Sequence, residues 1–179
     1  FALLIYPVNA RAEFFVVDKV ADYSAAALQQ TEVWCWAASI ETVFRTAGVS
    51  WSQKDIVTAV KGFPAFSTAN AGEMSLLLNG FGFDYDGSTW KGESEYFKGA
   101  MPANRLIKEI KAGRPAIFAV RTGGAIEHAV IVYGVLRPDG GGIHSIYYFD
   151  PYTGKKDAIP GSQVPSVVTH SWTAKIHRY

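Results

Sequence analysis

The single cysteine of this 179-residue sequence stands in its most informative segment. Cys35 lies between two tryptophans at the start of a run whose apolar residues recur at three- and four-residue spacings, which predicts a helix over residues 34–47. The amino end of a helix carries partial positive charge and unpaired N–H groups, and both favour a thiolate over a thiol. Cys35 is therefore a candidate nucleophile. The alternative is a buried cysteine that packs as a small apolar residue.

A glutamine shortly before the cysteine could complete such a site. Its side-chain amide can donate to the negative oxygen that develops when a thiolate attacks a carbonyl. The backbone N–H of Cys35 would be the second donor. Gln29, six residues before Cys35, and Gln30, five residues before it, are both candidates.

A nucleophilic thiol also needs a base, and His128 is well placed to be one. It begins the run His-Ala-Val-Ile-Val-Tyr, whose β-branched and aromatic content predicts a strand over residues 128–135. Because His128 follows Cys35 by 93 residues, only the fold could bring the two together. The remaining histidines are expected to be satisfied by local hydrogen bonds: His144, His170 and His177.

Asp150 ends the next predicted strand, residues 145–149. The turn residues Pro-Asp-Gly-Gly-Gly at 138–142 separate the two strands and predict an antiparallel hairpin. In such a hairpin His128 and Asp150 fall near the same end of neighbouring strands, where the carboxylate can fix the orientation and tautomer of the imidazole. Asp150 could instead only begin a turn, as aspartates before proline often do.

The remaining elements read as helices first and strands afterwards, an order that favours an α+β fold. Further helices are predicted over residues 53–61, 70–78 and 102–112, and further strands over 14–17, 115–120 and 171–178. The stretch 84–99 is rich in Gly, Ser, Asp and Lys and is expected to be an irregular surface loop that borders the cleft and selects substrate. Trp36, Trp90 and Phe97 are candidates to line a subsite, with core packing as the alternative.

Composition excludes several classes of function. The chain has 17 basic and 16 acidic residues and a net charge of +1. This balance lacks the excess of basic residues that is typical of proteins that bind nucleic acid. One cysteine excludes an intrachain disulfide and a multi-cysteine zinc site. No apolar run approaches the ~20 residues that span a bilayer. Residues 1–12 are apolar and end in Ala-Arg-Ala, which indicates a signal-peptide remnant or an extended N-terminal segment.

Taken together, these segments resemble the papain-like cysteine peptidase superfamily, whose order is Gln, Cys at a helix start, His, and then Asp or Asn. They are most similar to its small bacterial branches: bacteriocin-leader peptidase-like domains, staphopain-like proteases and plant-pathogen effector proteases. The shared features are Trp-Cys-Trp-Ala-Ala, a strand that opens His-Ala-Val-Ile-Val, and an Asp-Pro-x-x-Gly turn. The resemblance covers residues 25–60 and 115–155, while 62–100 matches no pattern of the superfamily.

The resemblance implies a site and a fold. Cys35 would be the nucleophile, His128 the general base and then acid, and Asp150 the residue that orients the imidazole. The oxyanion donor would be Gln29, with Gln30 as its rival. The fold would be a single papain-like domain of two lobes, with the nucleophile helix in an N-terminal helical lobe and an antiparallel sheet in the C-terminal lobe.

The resemblance further implies a thiol peptidase over residues 13–179 that acts on a protein or peptide substrate and needs no metal or organic cofactor. A bacterial protein that is secreted or delivered into a host is expected, with a cytoplasmic location as the alternative. The same Cys–His chemistry serves peptidoglycan amidases, glutamine deamidases and acyl transferases, and a catalytically idle binding module is a third alternative. The sequence leaves the oligomeric state and the cleavage site open.

Overall fold

The structure is a computed structural model, and it describes residues 12–18, 28–80, 82–123, 127–138 and 141–179. The prediction for the N-terminal segment falls on residues 1–11, which lie outside the described residues. Ala12 begins the first strand. All element bounds given below refer to the described part of the chain.

Five helices lie in these ranges. They are α1 (Cys35–Thr46), α2 (Gln53–Lys61), α3 (Ala71–Leu78), α4 (Ala103–Lys111) and α5 (Val164–Val167). The sequence predicted the first four to within one residue at each end, because their start and stop residues are strong signals. The sequence analysis missed α5, a single turn with a proline near its start. No helix of the described ranges has the length and apolarity needed to cross a bilayer.

Helix starts differ in a way that matters for the site. Ser52 and Asp55 form a capping box at the start of α2, and Asn70 with Glu73 form another at the start of α3. At α1, by contrast, the N-cap residue Trp34 supplies no side-chain hydrogen bond. No capping side chain therefore offsets the partial positive charge at the start of α1.

Ten strands form two antiparallel sheets. They are β1 (Ala12–Val16), β2 (Gly82–Tyr85), β3 (Ser88–Glu93), β4 (Tyr96–Lys98), β5 (Ala116–Arg121), β6 (Glu127–Pro138), β7 (Ser145–Asp150), β8 (Lys155–Pro160), β9 (Val168–Trp172) and β10 (Lys175–Arg178). The larger sheet has the order β4-β9-β5-β6-β7-β8, with β1 also paired to β6, and the smaller sheet has the order β10-β3-β2. The described chain is thus a mixed α+β fold, as the sequence predicted.

The stretch 84–99 is not the irregular loop that the sequence predicted. It contains part of β2 and all of β3 and β4. The hairpin between β2 and β3 turns at Asp86 and Gly87, which both have positive φ (51° and 69°). Asp-Gly is the sequence signature of this kind of hairpin turn, so the sequence does carry a local signal for the hairpin. The ring of Phe83 stacks on Trp51 at 4.7 Å between centroids, which closes the core on this side.

The strand predicted over 171–178 is two strands in two different sheets. β9 ends at Trp172 in the larger sheet, and β10 begins at Lys175 in the smaller one. Between them, the backbone N–H of Thr173 donates to the carbonyl of Glu95 and its hydroxyl accepts from the N–H of Glu95. These long-range bonds redirect the chain, and no local pattern encodes them. The sequence also did not predict β8, an edge strand whose mostly exposed residues lack an apolar pattern.

Two apolar clusters occupy opposite sides of β5 and β6. Ala119 and Ala129 belong to the cluster built around α1, α2 and α3, whereas Phe118 and Val130 belong to the cluster between α4 and the larger sheet. The alternation of side chains along a strand produces this division. It also places the start of α1 against the start of β6.

Candidate active site

The Cys35 thiol lies where α1 meets β6. The residue is 8% exposed and begins the helix. The backbone N–H of Ala129 donates to its sulfur at 3.5 Å, and the Cys35 side chain lies close enough to the imidazole of His128 to help raise its pKa. One donor from β6 and the uncapped end of α1 therefore converge on the sulfur atom, with the imidazole nearby, and such groups stabilise negative charge.

His128 and Asp150 lie on the neighbouring antiparallel strands β6 and β7. Nε2 of His128 is 2.6 Å from Oδ1 of Asp150, so Nδ1 is the ring nitrogen left for the thiol. Ile131 pairs with Phe149, and the register then shifts by one residue between positions 132 and 134. The turn residues predict the hairpin, but only the structure locates this bulge, which sets how the two side chains meet.

Asp150 also begins a turn, which was the alternative interpretation of this residue. The same side chain therefore both contacts His128 and starts the turn. Its Oδ1 accepts from the N–H of Tyr152 at 2.8 Å, and its Oδ2 accepts from the hydroxyl of Thr153 at 2.9 Å. The turn closes with Gly154, whose φ of +69° favours glycine. The carboxylate is thereby held in one orientation before it meets the imidazole of His128.

The electrostatics of the pair follow from these bonds. Burial disfavours a charged imidazole, but the hydrogen bonds with Asp150 and Cys35 outweigh burial and raise the pKa of His128 to about 9. Burial likewise disfavours a charged carboxylate, but the bond from His128, helped by the N–H of Tyr152, lowers the pKa of Asp150 to about 2. At neutral pH the site thus holds an imidazolium against a carboxylate.

The two candidate glutamines differ in exposure. Gln29 is partly buried, and its side-chain amide donates to the carbonyl of Thr31 at 2.7 Å. Its backbone N–H donates to the carbonyl of Pro151 at 2.9 Å, which ties this loop to the turn after Asp150. Gln30 is exposed. No hydrogen bond among the described residues joins either amide to Cys35, so the choice between them rests on burial and favours Gln29.

Gln53 fixes the glutamine loop, and the sequence analysis missed it. The residue is fully buried, and its Nε2 donates to the carbonyl of Leu28 at 2.8 Å and to the carboxylate of Glu41 at 3.0 Å. Its Oε1 accepts from the backbone N–H of Gln30 at 2.9 Å. The loop before Cys35 is therefore attached to α1 through one amide. In the sequence Gln53 looks like any polar residue in the first turn of a helix.

The tryptophans beside Cys35 hold a second segment in place. The indole N–H of Trp34 donates to the carbonyl of Ala65 at 2.9 Å, and that of Trp36 donates to the carbonyl of Ser67 at 3.2 Å. These bonds fix the chain that leads into residues 68–71, which border the site. In the sequence both tryptophans are conspicuous because they flank Cys35, but no pattern indicates these hydrogen-bond partners.

Two cavities flank the contacts described above. One of about 200 Å³ borders Cys35, and one of about 340 Å³ borders His128 and Asp150. Trp36 lines the first cavity, as the sequence suggested, whereas Trp90 and Phe97 pack against the two apolar clusters. In the described ranges no group of three or more His, Cys, Asp or Glu side chains is arranged to hold a metal ion.

Comparison with models of protein families gives a match. The model of the family described as "Peptidase_C39 like family" matches residues 22–175. This range includes all the candidate site residues and also the middle segment that the sequence analysis left without a counterpart. The match confirms the resemblance to papain-like cysteine peptidases. No curated protein matches the chain.

Proposed function

The chain belongs to the Peptidase_C39 like family, and from that premise we propose that it is a thiol peptidase with Cys35 as nucleophile, His128 as base and acid, and Asp150 as the orienting residue. One observation carries the proposal: the thiol, the imidazole and the carboxylate form an unbroken series of contacts, with the thiol at an uncapped helix start. A two-lobe papain-like arrangement is part of the proposal, supported by the separate clusters around α1 and beneath the larger sheet.

In the reactive form of the site a thiolate faces an imidazolium. The raised pKa of His128 supports the imidazolium, because the ring keeps its proton at neutral pH. The N–H of Ala129 and the positive end of α1 stabilise the thiolate in addition. In this form the sulfur can attack a carbonyl without a prior proton transfer.

In the first half of the reaction the Cys35 sulfur attacks the carbonyl carbon of the scissile peptide bond. The carbonyl oxygen takes the negative charge, and the backbone N–H of Cys35 with the side-chain amide of Gln29 would donate to it. His128 then gives its proton to the leaving nitrogen, and the C–N bond breaks. The products of this half are an amine and a thioester on Cys35.

In the second half a water molecule replaces the amine. His128, now neutral, accepts a proton from the water as its oxygen attacks the thioester. The C–S bond breaks, the carboxylic acid leaves, and the thiolate and the imidazolium are restored. Asp150 keeps Nδ1 of the ring aimed at the sulfur throughout, because it holds Nε2 at 2.6 Å.

The test is peptide hydrolysis in water enriched in ¹⁸O, followed by mass spectrometry of a defined peptide mixture. We expect new carboxyl termini that carry one ¹⁸O atom. Cys35→Ala should abolish them, while His144→Ala, which changes an exposed histidine that bonds only the hydroxyl of Ser145, should retain them.

Two results would contradict the proposal. One is cleavage by a folded Cys35→Ala variant at the rate of the unmodified protein. The other is release of ammonia from glutamine side chains, or transfer of the acyl group to an amine, without cleavage of any peptide bond. The second result would assign the site to the alternative amide chemistries.

A further inference from the structure

We propose that the cavity beside Cys35 binds a lysine or arginine side chain of the substrate, next to the scissile bond, through the carboxylate of Glu127. The inference rests on the proposed function, since it names the substrate class of the same site. It is carried by the position of Glu127, by the chemistry of the cavity wall and by the contacts of the carboxylate.

Strand geometry places Glu127 beside the nucleophile. Side chains alternate along β6, so Glu127 and Ala129 share one face while His128 points to the other. Ala129 contacts the sulfur of Cys35 through its N–H, and both Glu127 and Ala129 line the cavity of about 200 Å³. A substrate side chain that enters this cavity is therefore attached to a residue close to the attacked carbonyl.

The cavity wall suits a long side chain with a charged end. Its apolar part comes from the residues Trp36, Ala69, Ala71, Met74, Ala119, Ala129 and Trp172. The methylene groups of lysine or arginine pack well on such a surface, and the indole rings favour a nearby cation. Among the described lining residues Glu127 is the only carboxylate, and none is a lysine or an arginine.

Among the described residues, the carboxylate of Glu127 has one basic group within ion-pair distance, the imidazole of His170. Its Oε2 lies 3.5 Å from Nε2 of His170, too far for a strong hydrogen bond. The other ring nitrogen of His170 is 2.8 Å from the hydroxyl of Tyr96, which fixes the ring. Because the Glu127 side chain is 45% exposed and has no shorter bond among the described residues, its charge is free to meet a ligand.

Other occupants fit less well. An acidic side chain would meet the charge of Glu127 directly, and an apolar one would cover the carboxylate without offering it a donor. A cationic side chain satisfies both the apolar wall and the carboxylate. Charge and length thus select the substrate residue, and lysine and arginine are equal candidates.

The test compares two pairs of peptidyl electrophiles that alkylate active-site thiols. Within each pair the probes differ only in carrying lysine or norleucine, in one pair at the first and in the other at the second residue before the reactive group. Norleucine keeps the aliphatic chain but lacks the charge. Because Cys35 is the only cysteine of the chain, mass spectrometry of the intact protein reports its labelling alone.

At one of the two positions we expect the lysine probe to label at least about fivefold faster, as a partly exposed ion pair aided by the indoles would give. Glu127→Gln should reduce the lysine rate to that of norleucine. Glu13→Gln, which removes an equal charge from an exposed residue paired with the far end of β6, should leave the preference unchanged. Salt at 1 M should weaken the preference, since part of the ion pair is exposed.

Each contrary outcome has its own meaning. Equal rates for lysine and norleucine at both positions overturn the inference while the proposed function stands. A lysine preference that survives Glu127→Gln overturns the role of Glu127. If no probe labels the folded protein faster than simple iodoacetamide does, the proposed function fails, and the inference fails with it.

Discussion

Two pairs of histidine and carboxylate lie at the start of β6, and they differ sharply although their residue types are almost the same. His128 is 2.6 Å from Asp150, whereas His170 is 3.5 Å from Glu127. Glu127 and His128 are consecutive residues of β6, so their side chains point to opposite faces of the strand. The first pair lies against the sulfur of Cys35, and the second opens into the neighbouring cavity.

The difference shows what turns such a pair into a base. Asp150 is held by the N–H of Tyr152 and the hydroxyl of Thr153, and its side chain is 20% exposed. The side chain of Glu127 is 45% exposed, with only the distant His170 beside it. A short bond to Asp150 and a nearby sulfur raise the pKa of His128 in spite of its burial, and they suit it to proton transfer. The looser pair suits recognition of a charged ligand.

The largest expected difference in kcat/KM is between alanine substitutions of the two histidines. His128→Ala removes the proton carrier and should lower kcat/KM for peptide cleavage by roughly 10³-fold or more. His170→Ala should lower it less than about tenfold, because the ring only positions Glu127. Steady-state kinetics on one peptide measure both values. Similar losses of kcat/KM in the two variants would contradict the proposed difference in function between the two pairs.

Alanine substitutions of the two carboxylates should give the next largest difference in kinetics. Asp150→Ala leaves the ring of His128 without its orienting partner and should lower kcat by about 10²-fold, less than the loss of the imidazole itself. Glu127→Ala should act mainly through KM, and only for peptides with a lysine or arginine near the cleaved bond. Kinetics with matched lysine and norleucine peptides test this. A fall in kcat for both peptides in Glu127→Ala would show that the second pair also serves the chemistry.

Thermal melts across pH should detect the enclosed pair of His128 and Asp150. The pKa of His128 is raised from 6.5 to about 9, so its bond stabilises the fold fully below pH 6.5, and this stability is lost as pH rises through 9. The pKa of Asp150 is lowered from 3.8 to about 2, so its contribution is present above pH 3.8 and is lost as pH falls through 2. The melting temperature should drop by on the order of 5 °C between pH 6.5 and 9.

Substitution of each histidine checks the source of this drop. His128→Gln should flatten the decline between pH 6.5 and 9, and His170→Gln should keep it. If the decline persists unchanged in His128→Gln, another group causes it, and the raised pKa is not a property of the folded site.

The smallest effects should come from the hydroxyl groups that support each pair. Thr153→Val removes one of the bonds to Asp150 and should lower kcat about twofold to fivefold. Tyr96→Phe removes the bond to His170 and should leave cleavage of a norleucine peptide unchanged while it lowers the preference for lysine about twofold. If Tyr96→Phe affects both peptides equally, the second pair has no part in selectivity.

The sequence predicted the parts of the site that depend on local signals. The helix with Cys35 at its start, the strand with His128 near its start and the hairpin that leads to Asp150 are confirmed as structural elements, although β6 begins one residue earlier, at Glu127. Each rests on a short pattern: apolar spacing, β-branched content or turn residues. Their roles in catalysis stay predictions, because neither the fold nor the family match tests them.

Long-range contacts account for what the sequence could not provide. The attachment of the glutamine loop to Gln53 joins residues 23 positions apart, and the bond between Tyr96 and His170 joins residues 74 positions apart. The sequence analysis set His170 aside as a locally satisfied histidine, yet its partners are Tyr96 and Glu127. Such pairings depend on how the strands β4 and β9 assemble, which no pattern in a single strand encodes.

The central claim is that His128 activates Cys35, and alkylation of the single cysteine by iodoacetamide as a function of pH tests it most directly. At pH 7 the unmodified protein should react at least about tenfold faster than His128→Ala, because the variant lacks the imidazolium beside the sulfur. The difference between the two proteins should narrow as pH rises through 9, where the imidazolium loses its proton. Matching pH profiles for the two proteins would contradict the account.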